Sequence, residues 1–179
     1  MPSFRPAALA DVAHIVALVN SAYRGESSRA GWTTEADLLA GQRTDADEIH
    51  TLINAADSVI LLALQAGEII GTVHLQRDAD AASMGMLVIK PGLQGAGLGK
   101  KLMQAAEATA HKMWGVGKMR MVVITLRHEL IAFYERRGYR RTGKLKEFPQ
   151  DVKFGIPKAA GLQIELLEKN IGKYLQGYL

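Results

Sequence analysis

The chain of 179 residues contains no cysteine. Disulfide frameworks, thiolate catalysis and sulfur-bound zinc are therefore excluded. Long apolar runs are missing as well, and none reaches the eighteen or so residues of a membrane span. The opening "MPSFRPAALADV" lacks the apolar stretch of a secretory signal, so a soluble cytoplasmic protein without a membrane partner is expected. Charge of one sign is scarce: 22 Lys and Arg stand against 18 Asp and Glu, a net +4. That excess is too small to point to nucleic acid, yet it suits a small polyanion. Aromatic residues make up only 6% and hardly interleave the basic cluster at residues 136–146, so that cluster reads as a solvated rim rather than a nucleic-acid surface. His14, His50, His111 and His128 show no metal-ligand spacing.

What is present is ordinary for a globular protein, with 48% apolar and 22% charged residues. No repeat or linker divides the sequence, so residues 1–179 are expected to form one domain. "LADVAHIVALVNSAYR" places apolar residues at helical spacing. Residues 25–32 read as a loop. "TEADLLAG" then predicts a second helix, with Thr34 as N-cap, Asp37 three residues on and Gly41 as the stop. "DEIHTLINAAD" predicts a further short helix. Two β-rich runs around Gln65-Ala66-Gly67-Glu68 predict a hairpin, followed by the strand "SMGMLVIK". A helix, the strand "KMRMVVITL", the helix "HELIAFYERRG" closed by Gly138, and the strands "YRRTG" and "GLQIELLEK" complete the order. This alternation argues for an α/β protein with a mixed sheet.

The strand-to-helix junction "VIKPGLQGAGLGKK" carries Gly95, Gly97 and Gly99 at alternate positions. Glycines there permit positive φ and close approach of a ligand to the main chain. The unpaired amides and dipole of the helix N-terminus favour an anion, above all a phosphate or diphosphate, and Lys100 and Lys101 add positive charge. The spacing is not that of a dinucleotide fingerprint, because no carboxylate stands about twenty residues on. Nor is it a P-loop: Gly95 and Gly99 enclose three residues instead of four, and Lys101 replaces the Ser or Thr.

The pattern Gln94-Gly95-Ala96-Gly97-Leu98-Gly99 resembles the coenzyme A pyrophosphate loop of the GNAT superfamily, the acetyl-CoA-dependent N-acetyltransferases. "LVIKP" before it looks like that family's central strand. "ELIAFYERRGY", about forty residues downstream, is similar to the family's helix ending in Tyr, basic residues, Gly and an aromatic. The resemblance spans roughly residues 3–145 and leaves 146–179 as a closing strand and a tail that docks elsewhere or mediates a homodimer. It implies a central, mostly antiparallel sheet flanked by helices, with acetyl-CoA as co-substrate and a small-molecule or peptide amine as acceptor.

By position, the resemblance assigns Gln94, Gly95, Gly97, Leu98, Gly99 and Lys100 to the pyrophosphate, and main-chain groups of Leu87, Val88 and Ile89 to the pantetheine arm. It gives Tyr134 the part of general acid toward the departing thiolate. Two departures stand out. The central strand has no carboxylate to act as base, and the family's Asn seven residues before the tyrosine is Arg127 here. Glu26, Glu35 and His74 are the candidate bases, Glu26 ranked first for its place in the loop between the first two helices. Arg24, Arg29 and Trp32 in the same region are available to an acceptor. Transfer of another acyl group, or acyl-CoA binding without chemistry, are the competing expectations.

Overall fold

Alternating apolar residues make a sheet the centre of the molecule. The computed structural model describes residues 1–172. Its strands are β1 (Ser3–Pro6), β2 (Leu39–Ala40), β3 (Ser58–Gln65), β4 (Glu68–Asp78), β5 (Ala81–Ile89), β6 (Lys118–Ile124), β7 (Arg140–Glu147), β8 (Ile156–Pro157) and β9 (Gln163–Asn170). Its helices are α1 (Val12–Tyr23), α2 (Gly25–Ser28), α3 (Ala46–Asn54), α4 (Leu98–Trp114) and α5 (His128–Glu135). Most of the proposed docking or dimer tail, residues 173–179, lies outside the described residues.

Seven strands form one sheet in the order β1-β3-β4-β5-β6-β9-β7, and β2 and β8 pair separately. Every neighbouring pair in the large sheet is antiparallel except β5 and β6. The β3–β4 hairpin turns through Ala66 and Gly67, both at positive φ, the geometry whose twist matches the flanking strands. One face of the sheet, with Val59, Leu61, Val73, Leu75 and Met121, buries Leu102, Met103, Ala106 and Ala110 of α4 and Ile131 of α5. The other face, with Ile60, Leu62, Met86 and Val88, takes Ile15, Leu18 and Val19 of α1 and Ile49 of α3. Helices on both faces leave no apolar side of the central strands in water.

One irregularity shapes the middle of the sheet. Thr72 pairs with Val88, but His74 pairs with Gly85, so β5 carries one extra residue, and Met86 there adopts φ 48°. The parallel ladder between β5 and β6 holds only from Ala81↔Lys118 to Ser83↔Arg120. Beyond Ser83 the two strands diverge, and the second edge of β5 faces an opening.

The sequence expectations mostly match these elements, with two differences in residues 25–41. Residues 25–32 contain the single helical turn α2. The helix predicted over "TEADLLAG" does not form. Thr34 Oγ1 accepts from the Ala36 amide, a tight turn follows, and Leu39 and Ala40 pair with Pro157 and Ile156. The cause is tertiary: Glu35 is drawn to Arg24 and Arg127, and the Leu38 carbonyl accepts from the Lys158 amide at 2.9 Å. The strand expected over "GLQIELLEK" forms as β9, inserted between β6 and β7.

Candidate active site

Two cavities open where β5 and β6 part. The first, of about 250 Å³, is lined by Leu87 and Ile89 of β5, by Gln94, Gly95, Gly97, Gly99 and Lys100 of the glycine turn, and by Leu130, Phe133, Tyr134 and Arg137. Trp32 and Thr33 complete it. Seven of the nine positions expected to hold the cofactor therefore meet in one place. Val88 directs its side chain to the opposite core, and Leu98 packs against the α4 side. Neither fact removes their main-chain groups from the strand edge or the helix end.

The glycine turn has the geometry its sequence requires. Gly95 stands at φ 89° and Gly97 at φ 75°, a left-handed region costing other residues about 1–2 kcal/mol each. Gly97 is the N-cap of α4, and no side chain caps that end. The first amides of a 17-residue helix are thus left to an external acceptor. Arg137 stands at the same cavity, its Cζ 3.4 Å from the centre of the Phe133 ring and its Nη1 donating to Phe133 O at 2.7 Å. Its Nε is buried without a partner, and burial beside Arg136 lowers its pKa. An anion placed there would relieve both conditions. The glycine cradle, the open amides and the orphaned guanidinium edge all fit a diphosphate.

Gln94 works differently from a simple phosphate ligand. Its Oε1 accepts from the Trp32 amide at 3.0 Å, and its Nε2 donates to Thr33 Oγ1 and Ile89 O, both at 3.0 Å. It latches residues 31–33 to the glycine turn. Trp32 then lies 5.3 Å from Phe133, centroid to centroid, as a wall of the cofactor cavity. Gly31 is obligatory to this latch, because a Cβ there would come within 2.7 Å of Gln94 Oε1.

The second cavity, of about 240 Å³, also borders Tyr134. Leu87, Leu130 and Tyr134 line both cavities. Met84, Gly85 and Met86 from the bulged part of β5, Met121, Val123 and Ile124 of β6, and Phe148 and Phe154 form its apolar walls. Tyr134 is buried, and desolvation pushes its phenol well above the ordinary value near 10, with Tyr23 and Glu35 acting in the same sense and Arg127 and Arg137 opposing them. The phenol is therefore protonated across the whole working range of pH.

The three candidate bases are scattered. Glu26 is ranked first in sequence, but its side chain is 84% exposed, pairs with Arg29 at 2.9 Å and lines neither of these cavities. Its position on α2, at the outer surface, is what sequence cannot show. His74 also lines neither: its Nε2 lies 2.9 Å from Ser58 Oγ, and burial lowers its pKa from 6.5 to about 4. Glu35 does line the second cavity, but both its oxygens accept from guanidiniums, Oε2 from Arg24 and Oε1 from Arg127 at 3.0 Å. Arg127, standing where the family has Asn, also donates to Thr33 O at 2.6 Å. It ties the start of α5 to the acceptor segment. In sequence Arg127 is only a departure from pattern, and Phe133, Leu130 and Arg137 carry no mark of the cofactor cavity beyond their helical spacing around Tyr134.

Residues 56–141 match the family model described as an acetyltransferase (GNAT) domain. No curated protein sequence matches the chain. Among solved structures, a Vibrio cholerae spermidine N-acetyltransferase in complex with CoA and spermine superposes with a TM-score of 0.72 at 19% identity, over 97% of this chain and 98% of that one. The Escherichia coli ribosomal-protein-S18-alanine N-acetyltransferase gives 0.70 at 15% identity, over 96% and 94%. A GNAT-family acetyltransferase from Streptococcus pneumoniae gives 0.68 at 20% identity, over 96% and 100%. At these identities the superpositions speak for the fold alone, and the domain match speaks for the family. With the glycine turn, the diverging β5 and β6, and the tyrosine at the end of α5 brought together in space, the chain has the GNAT fold and carries, over residues 56–141, a GNAT acetyltransferase domain.

Proposed function

We propose that this chain transfers the acetyl group of acetyl-CoA to a primary amine by direct attack in a ternary complex, with Tyr134 as proton donor to the departing sulfur. The observation that carries the proposal is the place of Tyr134, which lines both the cofactor cavity and the second cavity. A donor on one side and an acceptor on the other would meet beside its hydroxyl. The amides of Leu98, Gly99 and Lys100 with Arg137 hold the pyrophosphate, and the edge of β5 at Leu87–Ile89 that no strand covers carries the pantetheine. The cofactor supplies the acyl carbon as a thioester.

The neutral amine attacks that carbonyl carbon, the C–N bond forms and the C–S bond breaks. The Tyr134 hydroxyl donates a hydrogen bond to the sulfur as negative charge develops there. A thiol has an ordinary pKa of about 8.5, so full transfer from a phenol above 10 is uphill. The contribution is thus a hydrogen bond that strengthens toward the transition state, with Arg127 and Arg137 favouring the phenolate. The amine's surplus proton leaves through water in the second cavity. Glu35 is committed to its two arginines and holds the acceptor segment in place, and Glu26 takes no part.

Steady-state kinetics with calorimetry test this reading. Tyr134→Phe should lower kcat by about a hundredfold or more, with the dissociation constant for acetyl-CoA within about twofold of the parent. Equal turnover by the variant would remove Tyr134 from the mechanism, and saturable cofactor binding with no CoA release on any amine would leave a binding domain in place of an enzyme.

A further inference from the structure

The second cavity carries an imbalance of charge. Three guanidiniums line it, Arg24, Arg43 and Arg127, against the single carboxylate of Glu35. Arg24 and Arg127 share that carboxylate, and both are nearly inaccessible, with side chains 5% and 8% exposed. Arg24 spends Nη2 on Phe154 O at 3.0 Å, yet its Nε is buried and has no hydrogen-bond partner. Arg43 is only half-buried and pairs with no carboxylate among the described residues. Its Cζ sits 5.9 Å from the centre of the Tyr23 ring. Tyr23 is itself fixed by donating to Leu87 O at 3.0 Å, on the strand that lines both cavities. A formal excess of two positive charges thus faces a partly desolvated space, where an unpaired charge is costly and an added anion is welcome.

We infer that the acceptor is a small amine bearing an oxyanion, a carboxylate or phosphonate, which Arg43 recognises while the amine faces Tyr134. This rests on the reading of the second cavity as the acceptor site. Its volume of about 240 Å³ is at the small end for ligand sites and suits an amino acid or a molecule of similar size. A polycation would bring like charge to the same wall and be rejected by it. Guanidinium is the group for this task, since its planar fork pairs with a two-oxygen anion by parallel hydrogen bonds.

The test is CoA release from acetyl-CoA with matched acceptors: α- and ω-amino acids of several lengths, their amides, their aminophosphonate analogues, and spermidine. The anionic members should exceed their amides in kcat/KM by about 10–100-fold, the usual worth of a hydrogen bond to a charged group. Carboxylate against phosphonate then identifies the oxyanion. In Arg43→Ala the preference for the anion should collapse to within a few-fold of one, through KM, and Arg43→Lys should retain part of it. Amides or spermidine turned over as well as the anionic members, or a preference undiminished in Arg43→Ala, would overturn the inference while leaving acetyl transfer standing. Absence of CoA release with every amine would overturn both.

Discussion

His74 shows how position in a sheet converts a possible base into a structural group. It stands on β4 opposite Ile60 and Gly85, beside Ser58 and within the field of Arg43. Desolvation, and secondarily Arg43, lower its pKa from 6.5 to about 4, so the folded chain holds it neutral where the unfolded chain would take up a proton. Stability from this residue is complete above pH 6.5 and is lost as pH falls toward 4. The loss over that window should be about 3 kcal/mol. Urea titrations from pH 4 to 7 check it: in His74→Asn the decline through this window should be shallower than in the parent chain, though the variant is less stable at pH 7. Parallel slopes would show that His74 protonates as easily folded as unfolded.

Helix α4 has left-handed glycines at both ends, Gly97 as N-cap at φ 75° and Gly115 as C-cap at φ 66°. A Cβ meets nothing within 4 Å at either position, so the cost of substitution lies in the backbone alone. That makes the pair a controlled comparison. Gly97→Ala and Gly115→Ala should each cost about 1–2 kcal/mol of stability. Only Gly97→Ala should also weaken acetyl-CoA binding, by about 5–30-fold, because it turns the amides away from the pyrophosphate. Calorimetry on both variants separates the two effects. Equal affinities would mean that the N-terminal amides of α4 do not hold the cofactor. The segment 34–41 illustrates the reverse dependence of element on surroundings. Its sequence favours a helix, yet contacts from Arg24, Arg127 and Lys158 hold it as turns and a short strand. Local preference of a few tenths of a kcal/mol per residue yields to such contacts.

Across the whole molecule, β9 is the central strand of the β6-β9-β7 part of the sheet, beyond the parting of β5 and β6 at Ser83. It pairs with β6 on one side and β7 on the other, and its Lys169 reaches back to α4. Lys169 Nζ donates to both oxygens of the buried Glu107, at 2.9 and 2.7 Å, and the Tyr139 hydroxyl donates to Glu107 Oε1 at 3.0 Å. Removing one member leaves a charge without its partner inside the core, which is worse than removing both. Lys169→Met should therefore destabilise by about 3 kcal/mol or more. Lys169→Met with Glu107→Leu should recover a large part of that loss. Chemical denaturation of the single and double variants decides the matter, and a double variant no more stable than Lys169→Met would place the loss in packing instead of charge.

Much of this was legible in the order of residues. The hairpin at Ala66-Gly67, the glycine turn at 95–99 and the stop at Gly138 are set by local backbone preference, and local preference is written residue by residue. The amphipathic spacing of α1 and α4 fixed which faces would be buried, for the same reason. The location of Glu26 outside the cavities, the commitment of Glu35 to Arg24 and Arg127, and the gathering of Arg24, Arg43 and Arg127 around one space were not legible. Those residues are separated by up to about a hundred positions and lie in segments without strong periodicity. Only the divergence of β5 and β6, with three loops folded over the gap, brings them together, and contacts made at such distance along a chain depend on topology that no local pattern records.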